Sequence, residues 1–399
     1  MLFLQSRPNI SREIPVSLAQ GRPLKAKLLI RWDEGLARPR RIFLFDLYPP
    51  SMDCQAFPAA LDRNLFANNQ DSACFEYTLV PRERGPWTFN GAEMLLGSAL
   101  RLWQLKTFCP CKSLGRTYPD FSRIKAAAGA ELRFLPEQNG IKQMRRRGQG
   151  MEFKNLRDFK EGDTMKAVDW RATSRKRSMD GRTKLIVREY QEEQDQHVLF
   201  LLDTGYRLHR SEGSALQFDK ALEALLLLSW VSLKHGDSVS VGTFGGTRRW
   251  LYPRKGTSAF PHLMNGLFDL ASSAAPSSPF SCLEEALSRL KRRTFIILIS
   301  NFREEDGEPL SWILKRVEKR HLLLLVSLRE KESEAIAARA PQNTDEALET
   351  AAAFSYLASR GELYQSWEHC GLLTLESTAK DLSPALINRY LAVKKSGRL

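Results

Sequence analysis

The stretch His197-Val-Leu-Phe-Leu-Leu-Asp203 constrains the fold more than any other. Its unbroken apolar centre fits a strand buried on both faces, which is the habit of parallel sheets. The pattern that follows alternates strand and helix. A helix is expected around 214–235, then a strand at 238–244 after the turn Gly236-Asp237, and a short antiparallel strand at 249–252. Helices near 258–271 and 281–290 precede a strand at 294–299. A helix at 309–319, a strand at 322–328 and helices near 344–359 and 383–393 complete the pattern. Strands alternating with helices predict a doubly wound parallel sheet over 196–399. Asp203 then stands at the C-terminal end of a buried strand, where open α/β sheets build their ligand crevices.

The N-terminal third reads differently. Leu24, Ala26, Leu28 and Ile30 alternate with Lys25, Lys27 and Leu29, a strand period of two. Further strand-like runs follow at 42–48, 74–80, 86–89 and 100–108, split by Pro and Gly with almost no helical period. Residues 23–136 therefore predict an all-β, immunoglobulin-like sandwich. Residues 1–22 are read as a short lead, and 137–195 as a separate basic segment.

Fifteen Lys and Arg against six Asp and Glu lie between Lys142 and Arg188. The whole chain of 399 residues carries a net charge of +14, so an acidic partner is expected: an acidic protein face, an anionic membrane surface or nucleic acid. No recognised nucleic-acid motif supports the last. Hydrophobic residues at 43% and a mean hydropathy of −0.36 fit a folded, water-soluble chain. The longest apolar stretch, Ala221 to Leu233, contains Glu223 and falls short of the roughly 20 residues a bilayer span needs. Met1-Leu-Phe-Leu4 gives way at once to polar residues, unlike a signal peptide.

Six scattered cysteines offer only one close pair, Cys109-Pro-Cys111, where zinc sites bring two pairs of ligands. Free thiols in a reducing compartment are expected. There is no phosphate-binding G-x-x-x-x-G-K-[ST], no H-E-x-x-H and no G-x-S-x-G. Glu368-His369-Cys370 sits between Trp367 and Gly371, a setting for a core or turn histidine. No enzymatic activity is expected.

The most specific stretch joins several short motifs. It runs Gly150-Met-Glu152-Phe153, then Leu156-Arg157-Asp158-Phe159, Gly162-Asp163, Val168-Asp169-Trp170-Arg171, Ser174-Arg175, and Leu185-Ile-Val-Arg-Glu189. This resembles the bacterial domain of unknown function 58 family. Arg84-Gly85, Tyr118-Pro-Asp-Phe121 and Asn388-Arg-Tyr-Leu391 agree with it. The resemblance implies a β-sandwich, the signature segment and a von Willebrand factor A-like domain. It implies a partner too: a MoxR-type AAA+ ATPase, with a transglutaminase-like membrane protein as a second associate. Many members begin with two membrane helices, so a cytoplasmic protein is expected, either free or held at the inner membrane by a hairpin missing here. Ser11–Gly21 resembles the stretch that follows such a hairpin.

Within the signature, Leu156, Phe159, Val168 and Trp170 are expected to form a small apolar set, and Asp158, Asp163 and Asp169 to pair with arginines. Two roles stay open: a clamp between domains, or a partner- or anion-binding surface formed by Lys142, Arg145, Arg146, Arg147, Lys176 and Arg177.

In the von Willebrand fold, a metal site opens with D-x-S-x-S at the strand end that Asp203 matches. Thr204 follows, but Gly205 and Arg207 occupy the two serine positions and offer no hydroxyl. Ser278 or Ser281 is expected at the loop hydroxyl, and Asn301 where a second Asp would stand. Magnesium requires near-octahedral oxygen coordination, so no cofactor, and at most a weak magnesium site, is expected. Arg207 either pairs with Asp203 in place of the cation or points to solvent. The expected function is a non-enzymatic adaptor. The alternatives are an independent adhesion or peptide-binding module, and anionic-surface binding through 142–188.

Overall fold

A computed structural model of the chain describes residues 8–32, 41–61, 72–97, 102–120, 147–160, 165, 168–175, 185–191, 196–212, 215–307, 312–313, 316–317 and 320–396. Its backbone divides into two compact units, Met1–Ala128 with Pro261–Ser273, and Gly129–Phe260 with Ala274–Leu399.

Two sheets share one core in the first unit. One has the order β1 (Asn9–Glu13), β3 (Leu24–Arg31), β7 (Ser72–Pro81), β5 (Met52–Asp53). The other runs β2 (Ser17–Ala19), β9 (Gln104–Tyr118), β8 (Gly85–Gly97), β4 (Arg41–Asp46), β6 (Ala59–Leu61). Ala26, Leu28 and Ile30 of β3 are buried against Leu44, Phe89 and Met94 of the facing sheet, the outcome of the period-two pattern. Each such fully buried large side chain stabilises the fold by about 1.5–3 kcal/mol. A buried ionic tie crosses the core. The Arg12 guanidinium donates to the Asp46 carboxylate and to the Cys111 carbonyl (2.7 Å), and lies 4.3 Å from the Phe89 ring centre. Tyr77 donates to the same carboxylate.

The strands begin earlier than the sequence pattern indicated. Residues expected to form a lead supply β1, antiparallel to β3, and β2, parallel to β9. These segments are short and partly polar, so their periodicity is weak. The strand read at 100–108 also runs on to Tyr118.

The second unit opens with the signature segment. β10 (Arg147–Asp158) pairs antiparallel with β11 (Ile186–Gln191). A short helix, α1 (Trp170–Arg175), stands beside β11. Asp169 caps it, its Oδ1 accepting the N–H groups of Arg171 and Ala172 at 3.0 Å. Thr173 is buried and accepts the Ile186 N–H through its hydroxyl. The expected apolar set does not form: Val168 is buried, but Leu156 is 44% and Trp170 61% exposed. Glu152, Phe153, Arg157 and Arg175 lie on β10 and α1, and their side chains are outside the description, as is that of Arg147. Gly162, Asp163, Lys142, Arg145, Arg146, Lys176 and Arg177 lie outside the described residues.

The main sheet combines β12 (His197–Asp203), β15 (Ser238–Phe244), β16 (Trp250–Lys255), β17 (Phe295–Ile299), β18 (Leu322–Leu328) and β19 (Leu373–Ser377). A two-residue pair, β13 (Ser211–Glu212) and β14 (Ala215–Leu216), forms a separate hairpin. The sheet order is β16-β15-β12-β17-β18-β19, parallel throughout except for β16. In chain order this is 3-2-1-4-5-6, so the direction of winding reverses between β12 and β17.

Helices α2 (Gln217–Lys234), α3 (Phe260–Leu267), α4 (Pro279–Arg289), α5 (Lys331–Ala337), α6 (Thr344–His369) and α7 (Leu382–Ser396) follow. Leu199 and Leu201 share a core with Leu283 of α4 and Trp367 of α6. Val198, Phe200 and Leu202 alternate to the opposite face, where α2 packs on β12 and β15, and α7 on α2. The sheet is thus covered on both faces, which explains its unbroken apolar strands. Strand β19 had no counterpart in the sequence reading, and α6 runs ten residues past the expected end at 359. His369 is exposed in the last turn of α6, just before Gly371 at φ 83°. Among the described residues, no helix is long and apolar enough to cross a membrane.

Candidate functional site

The reversal point lies between the C-terminal ends of β12 and β17, and Asp203 is fully buried there. Three donors converge on its carboxylate. Ser300 donates from just beyond β17 (2.6 Å), Ser277 from the loop before α4 (2.9 Å), and the Gly205 N–H from its own loop (2.8 Å). Burial pushes the Asp203 carboxyl above its usual range, and these hydrogen bonds and the charge of Arg207 oppose that shift only in part.

Close packing explains Gly205. A Cβ there would lie 2.7 Å from the Ala275 carbonyl oxygen and 2.8 Å from the Ser277 Cβ. Gly245, at φ 85°, closes the other side: a Cβ on it would meet the Gly205 nitrogen at 2.7 Å. Thr204 is buried and donates its hydroxyl to the Phe244 carbonyl at 2.7 Å, fixing the loop rather than facing a ligand.

Arg207 departs from both expectations. It is only 5% exposed, and its guanidinium is bidentate on Asp306, not paired with Asp203. It also donates to the Asn301 carbonyl (3.1 Å) and to Glu305 (3.3 Å). Burial works against its charge, but Asp306 more than compensates and raises its pKa further. The sequence signal was the acidic run Glu304-Glu305-Asp306, a partner for a cation on a neighbouring loop.

Asn301 is buried and spends both ends of its amide elsewhere. Its Nδ2 donates to Gln217 (2.9 Å) and to the Arg207 carbonyl (3.1 Å), while its Oδ1 accepts the Leu328 N–H (3.0 Å). The residue that meets Asp203 is Ser300, one position earlier. Parallel register explains this: Leu202 pairs with Ile299, so the next residue on each strand shares a side. Ser281 is likewise displaced. Its hydroxyl lies 3.1 Å from that of Ser278, which caps α4, and the loop hydroxyl at Asp203 belongs to Ser277.

The oxygen set is therefore one carboxylate and two hydroxyls, each hydroxyl donating to the carboxylate. Gly205 and Arg207 add none, and Asn301 is committed elsewhere. Magnesium, octahedral with several retained waters, would have to break these hydrogen bonds to reach the buried carboxylate. Among the described residues, no three His, Cys, Asp or Glu side chains form a group able to hold a metal ion. Beside this closed cluster lies an open groove of about 1220 Å³. Arg210, Arg303 and Glu304 line one wall, and Ile336, Ala352 and Tyr356 from α5 and α6 the other.

Two facing β-sheets and a mostly parallel, helix-covered sheet with a carboxylate at its winding reversal define a mixed α/β protein of two units. The chain belongs to the family described as protein of unknown function DUF58, whose model matches residues 155–361, from β10 into α6. No curated protein matches. Among solved structures, the chain is similar to the conserved hypothetical protein BatB from Bacteroides thetaiotaomicron, at 13% identity over 50% of this chain and 99% of that one (TM-score 0.31). It is also similar to a cohesin module of a family 33 glycoside hydrolase from Clostridium perfringens, at 10% identity over 29% and 100% (TM-score 0.20). A third is proximal thread matrix protein 1 of the mussel byssus, at 11% identity over 48% and 46% (TM-score 0.29).

Proposed function

We propose that this chain is a non-enzymatic adaptor for a MoxR-type AAA+ ATPase, docking through the C-terminal end of its six-stranded sheet. The fold reading behind it is an immunoglobulin-like sandwich joined to a von Willebrand factor A-like domain that works without a metal. One observation carries the proposal: the reactive groups at the sheet end are spent on one another, while an open groove remains beside them. A catalytic metal needs an open coordination position, and a general base needs a free lone pair aimed at substrate. Asp203 suits neither role well, because it is fully buried and its carboxylate already accepts from Ser277, Ser300 and Gly205, about three of its four acceptor sites. What is left is a shaped surface, and loops at strand ends are the usual place for recognition.

The groove suits a protein partner. Ile336 and Ala352 supply apolar contact, and Arg303 and Glu304 supply charges of both signs. The ATPase is the partner that family membership favours, with a transglutaminase-like membrane protein as a further associate at the inner membrane. A capture experiment tests this. The chain should retain the MoxR-type ATPase from the same genome in a nucleotide-dependent way and at moderate salt, and Arg303→Glu with Glu304→Lys should abolish retention. Failure to retain the ATPase in every nucleotide state, or retention indifferent to the groove variant, would sink the reading in favour of an independent adhesion or peptide-binding module.

A further inference from the structure

The opposite end of the same sheet carries a second surface. The segments entering β17 and β18 hold Lys291, Arg292 and Arg320 on the surface, near Arg289 at the end of α4 and Arg316. Two hollows meet there at Leu290, of about 530 and 710 Å³. Trp250 and Leu290 give the first an apolar floor, and Leu287 and Leu290 give one to the second. Large exposed rings stand at the two sides, Tyr252 at 74% and Trp312 at 77% exposure.

The charge is one-sided. Among the described residues that line the hollows, the one acid is Glu284, against Lys291, Arg292, Arg316 and Arg320, while Glu285 on the same helix is bound to Arg289 at 2.6 Å. The helix dipole and Glu285 account for Arg289 at the C-terminus of α4. They do not account for a cluster drawn from two further segments. His197 opens onto the first hollow, but burial pushes its pKa down to about 4, so it is neutral at physiological pH and the cations are all Lys and Arg.

We propose that this strip binds an acidic polypeptide segment bearing apolar anchor residues. Each hollow has room for large side chains, and the cationic rim would meet carboxylates between them. The alternatives fit less well. A bilayer is flat, whereas this surface is concave. Single-stranded nucleic acid stacks successive bases on a run of ring faces; here the Arg289 guanidinium covers the Trp250 ring at 4.8 Å, which leaves the exposed rings Tyr252 and Trp312, one to each hollow. Strand addition to β16 is discouraged by its register shift opposite Ser240 and by Pro253. The segment would therefore lie across the strand ends. This surface is independent of the groove at the other end and of the ATPase.

Fluorescence anisotropy on the full chain tests it, with a short fluorescein-labelled peptide in which Asp and Glu pairs alternate with Phe and Leu. Labelled oligo-dT and phosphatidylglycerol vesicles serve as competing probes. The peptide should bind, with affinity falling as salt rises. Arg292→Glu with Arg320→Glu should weaken it roughly tenfold or more. Trp312→Ala should weaken it at unchanged charge, and an all-acidic peptide without apolar residues should bind less well. All these positions are exposed, so melting curves should match the parent, with Lys291→Glu as a second reversal. No peptide binding, binding indifferent to the reversals, or tighter binding of oligo-dT or vesicles to the same residues would overturn the proposal.

Discussion

At Asp203 the cost of burial and the gain from hydrogen bonding can be separated by pH. Burial holds the carboxyl above its ordinary value of 3.8, so folding favours the neutral form. That contribution to stability is fully present below the unfolded value and is lost as pH rises through the raised folded value. Asp203→Asn is neutral at every pH. Its Oδ1 can still accept from Gly205, and the hydroxyls of Ser277 and Ser300 can rotate to accept from the new amide. The variant should therefore gain stability relative to the parent as pH rises from the acid range toward neutrality. Urea denaturation across that range checks it, and an advantage that shrinks or reverses with rising pH would show that the charged form is the one the fold prefers. Gly205→Ser makes the complementary point. It restores the first serine of the D-x-S-x-S pattern, but the new Cβ would sit 2.7 Å from the Ala275 carbonyl oxygen. Overpacking of this kind costs about 1–3 kcal/mol. The expected outcome is a less stable protein with no gain in magnesium affinity; a variant as stable as its parent that binds magnesium would show that the loop can open.

At the scale of the elements, legibility followed burial. Strands β12, β15, β17 and β18 are long apolar runs bounded by turns, and their sequence periods placed them within about two residues. Helix α2 was equally plain, because its Leu-rich stretch is buried against the sheet. Strand β19 was not, since Leu373–Ser377 is a half-buried edge strand with polar Thr374, Glu376 and Ser377. The early strands β1 and β2 failed the same test. Arg12, which ties the two facing sheets through Asp46, gave no local signal, because its partners lie 34 to 101 residues away. The candidate site was half legible. The Asp203 strand end could be read from one stretch of chain. Which hydroxyl faced it could not, because that depends on the register of β12 against β17 and on a loop 74 residues on. Arg207 was misplaced for a related reason: Asp203 is near in sequence, but Asp306, 99 residues away, holds it in the fold.

For the whole molecule, the expectation that Asp203 holds no tight metal has a consequence that needs no assay of function. A ligand that binds only the folded state stabilises it by RT ln(1 + [L]/Kd). Magnesium at a hundred times its Kd would contribute about 2.7 kcal/mol. In a unit of this size that corresponds to a rise in Tm of roughly 5–10 °C. The oxygen cluster at Asp203 supplies one buried carboxylate that already accepts three hydrogen bonds, so no such term is expected. The net charge of +14 complicates a naive comparison, because any added salt screens self-repulsion and raises stability on its own. Melting must therefore be compared in magnesium chloride and in sodium chloride with EDTA at matched ionic strength. The two curves should coincide. A rise of several degrees specific to magnesium, and removed by Ser300→Ala, would mean that Asp203, Ser277 and Ser300 exchange their mutual hydrogen bonds for a cation. The sheet end would then be a working metal site, and the adaptor would dock through a bridging ion instead of through the groove beside it.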